Sequence, residues 1–210
     1  PRDVSVLPLD YDGRGPGGAG KRGCGGRGRA GWVDAMSFDG MWLPADQDPR
    51  MEGLQPTRGE RECLVGYLEH YRQTLALKCD GLDAGQLATR AVPPSNISLL
   101  GLVRHMARVE HHWFRRIIEG RTDVPRLFPG DDEDAGFTFP ESDDALVRAS
   151  HELWEGEVAH AREVLARTDL DAVVDVHGEA TEVRDIVVHM VEEYARHCGH
   201  ADLEIGRAHV

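Results

Sequence analysis

From Arg58 to Cys79 the apolar residues Leu64, Leu68, Tyr71 and Leu75 recur at spacings of four, three and four, the period of a single helix face. Gly81 ends that pattern, and Pro93-Pro94 excludes helix until Ser95 or Ser98, either of which suits an N-cap. A second helix is predicted to run to about Glu119, with Leu99, Leu102, Met106, Val109, Trp113 and Ile117 on one side and Gly120 as its stop. A third is predicted over 143–167, capped by Ser142, with Leu146, Leu153, Val158, Ala161 and Leu165 as its stripe. Thr181 is the expected cap of a fourth, which runs through Leu203. The one strand-like stretch, Ala172-Val173-Val174-Asp175-Val176, is read as too short and too isolated to make a sheet.

Four amphipathic helices without strand partners predict an all-α, four-helix bundle. The connection after the second helix holds Pro125, Pro129, Pro140 and the run Asp131-Asp132-Glu133-Asp134. That run lacks the alternating acidic spacing and the distal glutamate of a calcium loop, so it reads as a solvated loop. The connection is long for a tight turn and is expected either to cross the bundle or to cover one end of it.

Composition narrows the chemistry. The chain has 210 residues, 40% of them hydrophobic, and its 24 Lys+Arg against 37 Asp+Glu leave a net charge of −13. Such a charge opposes a polyanionic partner, so nucleic acid is not expected. No apolar run approaches the ~18–20 residues that span a bilayer, so no membrane partner is expected either. Cys24, Cys63, Cys79 and Cys198 show no CxxC spacing. On one helix Cys63 and Cys79 would stand ~24 Å apart at about 1.5 Å per residue, so reduced thiols and a cytoplasmic location are expected.

The two ends differ from the middle. Residues 1–35 hold ten of the 24 glycines and six of the 24 basic residues but only four of the 37 acidic ones. Residues 1–50 are expected to form a disordered leader, since glycine and arginine bury little that offsets the cost of ordering. They read as translated upstream sequence ahead of a start at Met36, Met41 or Met51. Residues 204–210, EIGRAHV, resemble the in-frame translation of a sequencing-library adapter, which puts the expected bundle at 58–203.

The candidate chemistry lies on the fourth helix. At 100° per residue Val183, Ile186, Met190, Tyr194 and Ala201 form one stripe, and Glu193 and His197 fall inside it. A carboxylate aimed at an apolar interior calls for a partner. His105, at the edge of the second helix's stripe, can supply one. Two imidazoles and a carboxylate suit a divalent transition ion with open positions for water or substrate. His189 and His200 share the same general face and are candidates for a supporting partner or an alternative ligand. His111 and His112 point about 100° apart, so one of them is expected to meet solvent. His70, His151, His160 and His177 read as surface residues, and Cys198 as a packed thiol. Serine-hydrolase, phosphate-loop and dinucleotide-binding signatures are absent from the sequence.

Two motifs carry a family resemblance. Leu99-Leu100-Gly101-Leu102-Val103-Arg104-His105, followed by Val109-Glu110 and Trp113-Phe114-Arg115-Arg116, is one of them. Glu192-Glu193-Tyr194-Ala195-Arg196-His197-Cys198-Gly199-His200-Ala201-Asp202 is the other. Together they resemble the DinB/YfiT-like superfamily over about residues 58–203, in an actinobacterial branch without an assigned reaction. The resemblance implies a four-helix bundle whose metal site takes one histidine from the second helix and an H-x-x-x-H pair from the last. By position His105 matches the first histidine, Glu193 stands where the second would be, and His197 matches the third. A glutamate at that place resembles the mycothiol-dependent maleylpyruvate isomerase branch.

The resemblance implies a metal-dependent thiol S-transferase or isomerase that uses mycothiol or bacillithiol against a small electrophile. His105, Glu193 and His197 would be ligands to zinc, nickel or manganese, among which this donor set does not choose. Glu110, His189 or His200 would orient them, and Arg104, Arg108 or Arg196 would meet an anionic thiol or substrate. The other expectation is a non-catalytic, stress-associated helical bundle, as a homodimer, whose metal is structural or absent.

Overall fold

The computed structural model describes residues 48–51, 58–128, 136–139 and 142–205. The glycine-rich leader with Cys24, the run Asp131-Asp132-Glu133-Asp134 and residues 206–210 lie outside the described residues. Four long helices and one short one make up most of the fold. They are α1 (Glu60–Cys79), α2 (Ala84–Ala88), α3 (Leu99–Glu110), α4 (Asp144–Arg167) and α5 (Val183–Ile205). The architecture is the expected all-α bundle with a small hairpin added. None of these helices is long and apolar enough to cross a membrane.

The helix starts follow local chemistry. Gly59, at φ 85°, precedes α1, and Glu60 and Glu62 place negative charge in its first turn, where the helix dipole favours it. Asp83 and Gln86 form a reciprocal capping box on α2, an element too short for any apolar period to announce. Ser98, one of the two expected caps, accepts from Gly101 N at 3.2 Å and opens α3. On α4 the cap is Asp143, whose Oδ1 accepts from Leu146 N at 2.7 Å, and not Ser142, whose hydroxyl donates to Ala84 O. Asp is as good an Ncap acceptor as Ser, and here it stands one residue closer to the helix. At its other end α4 is closed by α1, since Arg61 donates to the carbonyls of Leu165 and Thr168 at 2.7 and 2.5 Å, groups a helix C-terminus leaves unpaired.

Two expectations are corrected. Val173–Val176 is not isolated. As β1 it pairs antiparallel with β2 (Glu179–Glu182), with Val174 opposite Thr181. The turn between them is His177-Gly178, both at positive φ (56° and 95°), the geometry of a two-residue hairpin loop. Thr181 therefore lies in β2 and is not the cap of α5, which begins directly after the strand at Val183.

The second correction concerns the helix that carries His105. It continues past Glu110 as a π segment, His111–Ile118, whose wider turns advance by more residues each. The buried face therefore shifts. His111 and Phe114 enter the core, whereas Trp113 and Ile117 only pack against it from a partly buried position. On α4, likewise, Trp154 is buried and Leu153 only partly so.

α1 packs chiefly against α5, and α3 against α4. α3, with its π continuation, and α4 run parallel, with Arg115 against Glu157 and, further along both, Glu119 against His160. The long connection therefore returns along the bundle, passing His111 at Pro125, Arg104 at Phe128 and His105 at Phe137, the crossing that was one of its two expected routes. Leu68, Leu75, Leu100, Leu102, Met106, Phe114, Ile186 and Met190 are almost wholly excluded from water, and each such side chain contributes about 1.5–3 kcal/mol on burial. In their midst lies a polar network that touches all four long helices. Arg72 of α1 donates through Nε and Nη2 to the two carboxylate oxygens of Glu110 on α3, at 2.8 and 2.7 Å. Tyr194 of α5 donates to Glu110 Oε1 at 2.7 Å, and Trp154 of α4 donates to the Tyr194 hydroxyl at 2.8 Å. Burial pushes the Glu110 carboxyl up, and the paired guanidinium opposes that push.

Candidate metal centre

One residue before Tyr194, α5 turns Glu193 toward α3. Glu193 Oε2 faces His197 Nε2 at 3.3 Å and His105 Nε2 at 3.8 Å. One ligand atom from each of the three residues lies within 4.8 Å of the others. The His105 and His197 ring centroids are 4.6 Å apart. Four-residue spacing puts Glu193 and His197 on one face of α5, and the Tyr194–Glu110 bond one residue on fixes the rotation of that face toward α3. The other oxygen, Oε1, faces His189 Nε2 at 3.8 Å and Arg196 Nη1 at 3.9 Å.

The rings are held from behind. Phe137 stacks on His105, with centroids 4.9 Å apart and planes 19° from parallel. The segment carrying it comes so close that a Cβ on Gly136 would lie 3.0 Å from His105 Cα, and one on Gly101 would lie 2.9 Å from the Phe137 ring. His200 Nδ1 meets His197 Nδ1 at 3.3 Å, which leaves His197 Nε2 turned toward Glu193. Imidazoles His105 and His197, with His189 beyond, hold the Glu193 carboxyl well below the usual carboxylate range, although partial burial pushes the other way.

These residues fit a divalent ion. Both ring nitrogens of His105 are buried and have no hydrogen-bond partner among the described residues, a costly state for polar atoms that a cation between the donors relieves at one of them. Neutral imidazole nitrogens and an ionised carboxylate are suitable ligands for such an ion.

The expected supporting residues divide. His189 and His200 stand against the triad, as described. Glu110 does not, since Arg72 and Tyr194 occupy its oxygens. Among the arginines, Arg104 donates to Gly136 O at 3.2 Å and lies 4.0 Å over the Phe128 ring, so it clamps the segment behind His105. Arg196 is largely exposed beside Glu193. Cys198 is buried with its Sγ toward Tyr71 O, and burial pushes its thiol up to about 12.

Of His111 and His112, one meets solvent, as expected, and it is His112. His111 is buried, with Nε2 3.0 Å from Pro125 O and Nδ1 3.4 Å from Glu157. His112 is half-buried. The surface reading fails for His160, which meets Glu119 at 2.6 Å, and for His70 and His151, which are partly buried against Tyr71 and Trp154. It holds for His177.

Beside the triad, with His105 as part of its wall, opens a pocket of about 490 Å³. Its lining includes Arg108, Arg116, Arg126, His112, Trp113 and His177. The π segment supplies His112, Trp113 and Arg116, and the hairpin turn supplies His177, which stacks near His112 at 6.2 Å between centroids. Burial, with the charges of Arg126, His177, Arg116 and Arg108, lowers His112 to about 4, so it is neutral at pH 7. Sequence reasoning named Arg108 but not this group. Its only local signal is the cluster His111-His112-Trp113-Phe114-Arg115-Arg116, and the remaining members come from distant parts of the chain.

No curated protein matches the chain. A family model described as "MST: Mycothiol-S-transferase" matches residues 63–204, a span that contains α1 to α5 almost entirely and all three triad residues. With the bundle, the triad and that match over more than half of its length, the chain belongs to the mycothiol-S-transferase family.

Proposed function

We propose that the protein is a metal-dependent thiol S-transferase that joins mycothiol to a small electrophile, with His105, Glu193 and His197 as the metal ligands. The observation that carries this reading is the convergence of those three side chains around the unpartnered ring nitrogens of His105. The family's name supports mycothiol as the thiol.

A divalent ion at this site supplies Lewis acidity that favours the thiolate of a bound thiol at neutral pH. The chain's own residues do the rest. Glu193, kept ionised, contributes the negative charge of the donor set. His200 and Phe137 hold the two rings in place, a support on which ligand geometry depends. The ~490 Å³ pocket beside His105 gives the second substrate room to approach. Cys198, next to His197 in the sequence, does not compete, because burial keeps it protonated. The absence of disulfide spacing and the need for a reduced thiol together support a cytoplasmic site of action.

Conjugation of mycothiol to monochlorobimane tests the reading. The thiol sulfur forms a bond to the chloromethyl carbon, chloride leaves with the bonding pair, and the thiol proton passes to water. Fluorescent product is expected with the metal-loaded protein, at least a hundredfold less after chelation, and recovery on adding metal back. Rates in the chelated protein and in the His105→Ala variant equal to that of the metal-loaded wild type would contradict it.

A further inference from the structure

The pocket beside the triad is positively charged in a protein of net charge −13. Arg108, Arg116 and Arg126 line it together with His112 and His177, and no carboxylate appears among its described lining residues. Arg116 is held by neutral groups. Its Nη1 donates to the carbonyls of Thr122 and Val124, while its Nε is buried with no hydrogen-bond partner among the described residues. Carbonyls fix a guanidinium without cancelling its charge. Neighbouring Arg115, by contrast, is paired with Glu157 at 2.7 Å. Arg126 is exposed at the mouth and accessible to a ligand.

We propose that this pocket receives the carboxylate or phosphate of the electrophile that the thiol attacks. The inference rests on the transferase reading for the word electrophile, and on the pocket itself for the anion. Three guanidiniums around one cavity are a planar, multidentate receptor for oxyanions. Its position decides which substrate it serves. In the transferase reading the sulfur would sit at the metal held by the triad, and the pocket shares His105 with the triad as a wall, so a group anchored among the arginines lies beside the reacting sulfur.

Anion binding is measured first, without reference to turnover. Calorimetric titration of succinate into the full chain, metal-loaded and chelated, is expected to show saturable binding that survives chelation. Binding is expected to weaken with ionic strength, to fall at least tenfold in Arg126→Ala and to vanish in Arg126→Glu. The His112 ring resonance is expected to move during the same titration. No saturable binding, or binding indifferent to both variants, overturns the anion site.

The second arm compares 4-chloro-3-nitrobenzoate with 4-chloro-3-nitrobenzamide as partners for mycothiol. In each, the C–S bond forms at the carbon that loses chloride, and the thiol proton goes to water. The benzoate is expected to have at least a tenfold higher kcat/KM. That preference should disappear in Arg126→Glu while the KM for mycothiol stays within twofold. Equal kcat/KM values, or a change confined to the mycothiol KM, overturn the assignment to the electrophile. Succinate binding that depends on Arg126, with no conjugation of any electrophile, upholds the anion site and defeats the transferase reading instead.

Discussion

Tyr194 donates to Glu110 Oε1 across 2.7 Å, one residue along α5 from the carboxylate that faces His105. The bond joins the bundle's buried ion pair to the triad's scaffold. Removing one partner of such a pair strands a charge in the core. Arg72→Met and Glu110→Ala are each expected to destabilise by about 3–5 kcal/mol in denaturant unfolding. The double replacement Arg72→Met with Glu110→Ala should cost clearly less than their sum. Strict additivity would show that the pair is not coupled.

Gly136 is where the backbone behind His105 comes closest. Gly136→Ala puts a Cβ 3.0 Å from His105 Cα, so the segment must withdraw and Phe137 unstack. Metal affinity is expected to fall about tenfold, the usual scale for a lost supporting contact, when measured by competition with a chromophoric chelator. Gly156 of α4 has nothing within 4 Å of an added Cβ. Gly156→Ala is the control, expected to leave affinity unchanged and to stabilise by about 0.5–1 kcal/mol.

Cys79 and Cys198 are both pushed up to about 12 by burial, whereas Cys63 is only partly buried. In the native protein at pH 8, iodoacetamide is expected to label Cys63 well before the other two, with the difference lost in denaturant. Peptide mapping by mass spectrometry reads this directly. Rapid native labelling of Cys198 would reopen a role for it beside His197.

His112 gives the pH dependence a sign. Its folded value of about 4 is below the ordinary value of about 6.5, so the unfolded chain binds the extra proton first. Stability is complete above pH 6.5, falls as pH drops from 6.5 to 4, and levels off below that. Since the ring still meets solvent, the loss is about 1 kcal/mol. Urea unfolding of wild type and His112→Gln across that window should show the slope shrinking by this amount in the variant.

The bundle and the triad were legible in the sequence because both follow from helical period. His105, Glu193 and His197 lie on apolar faces, and a polar side chain there must meet something. Arg72 had the same signal, four residues after Leu68 and three before Leu75, and so did Glu110 four residues after Met106. Their mutual pairing was not legible, because it joins residues 38 apart. The π segment shifted the buried face from Trp113 to Phe114 with no local marker. The hairpin escaped because its strands are only four residues long and mostly exposed, although His177-Gly178 between them was a usable turn signal. The arginine pocket was out of reach, since Arg116, Arg126 and His177 come together only through the packing of the π segment, its following loop and the hairpin.

The central claim is that His105, Glu193 and His197 hold a metal ion together. Mass-spectrometric metal analysis of the protein purified without an affinity tag tests it most directly. A stoichiometric divalent transition ion in the wild type, lost in His105→Ala, is the predicted result; substoichiometric metal in the wild type, unchanged by His105→Ala, would contradict the account.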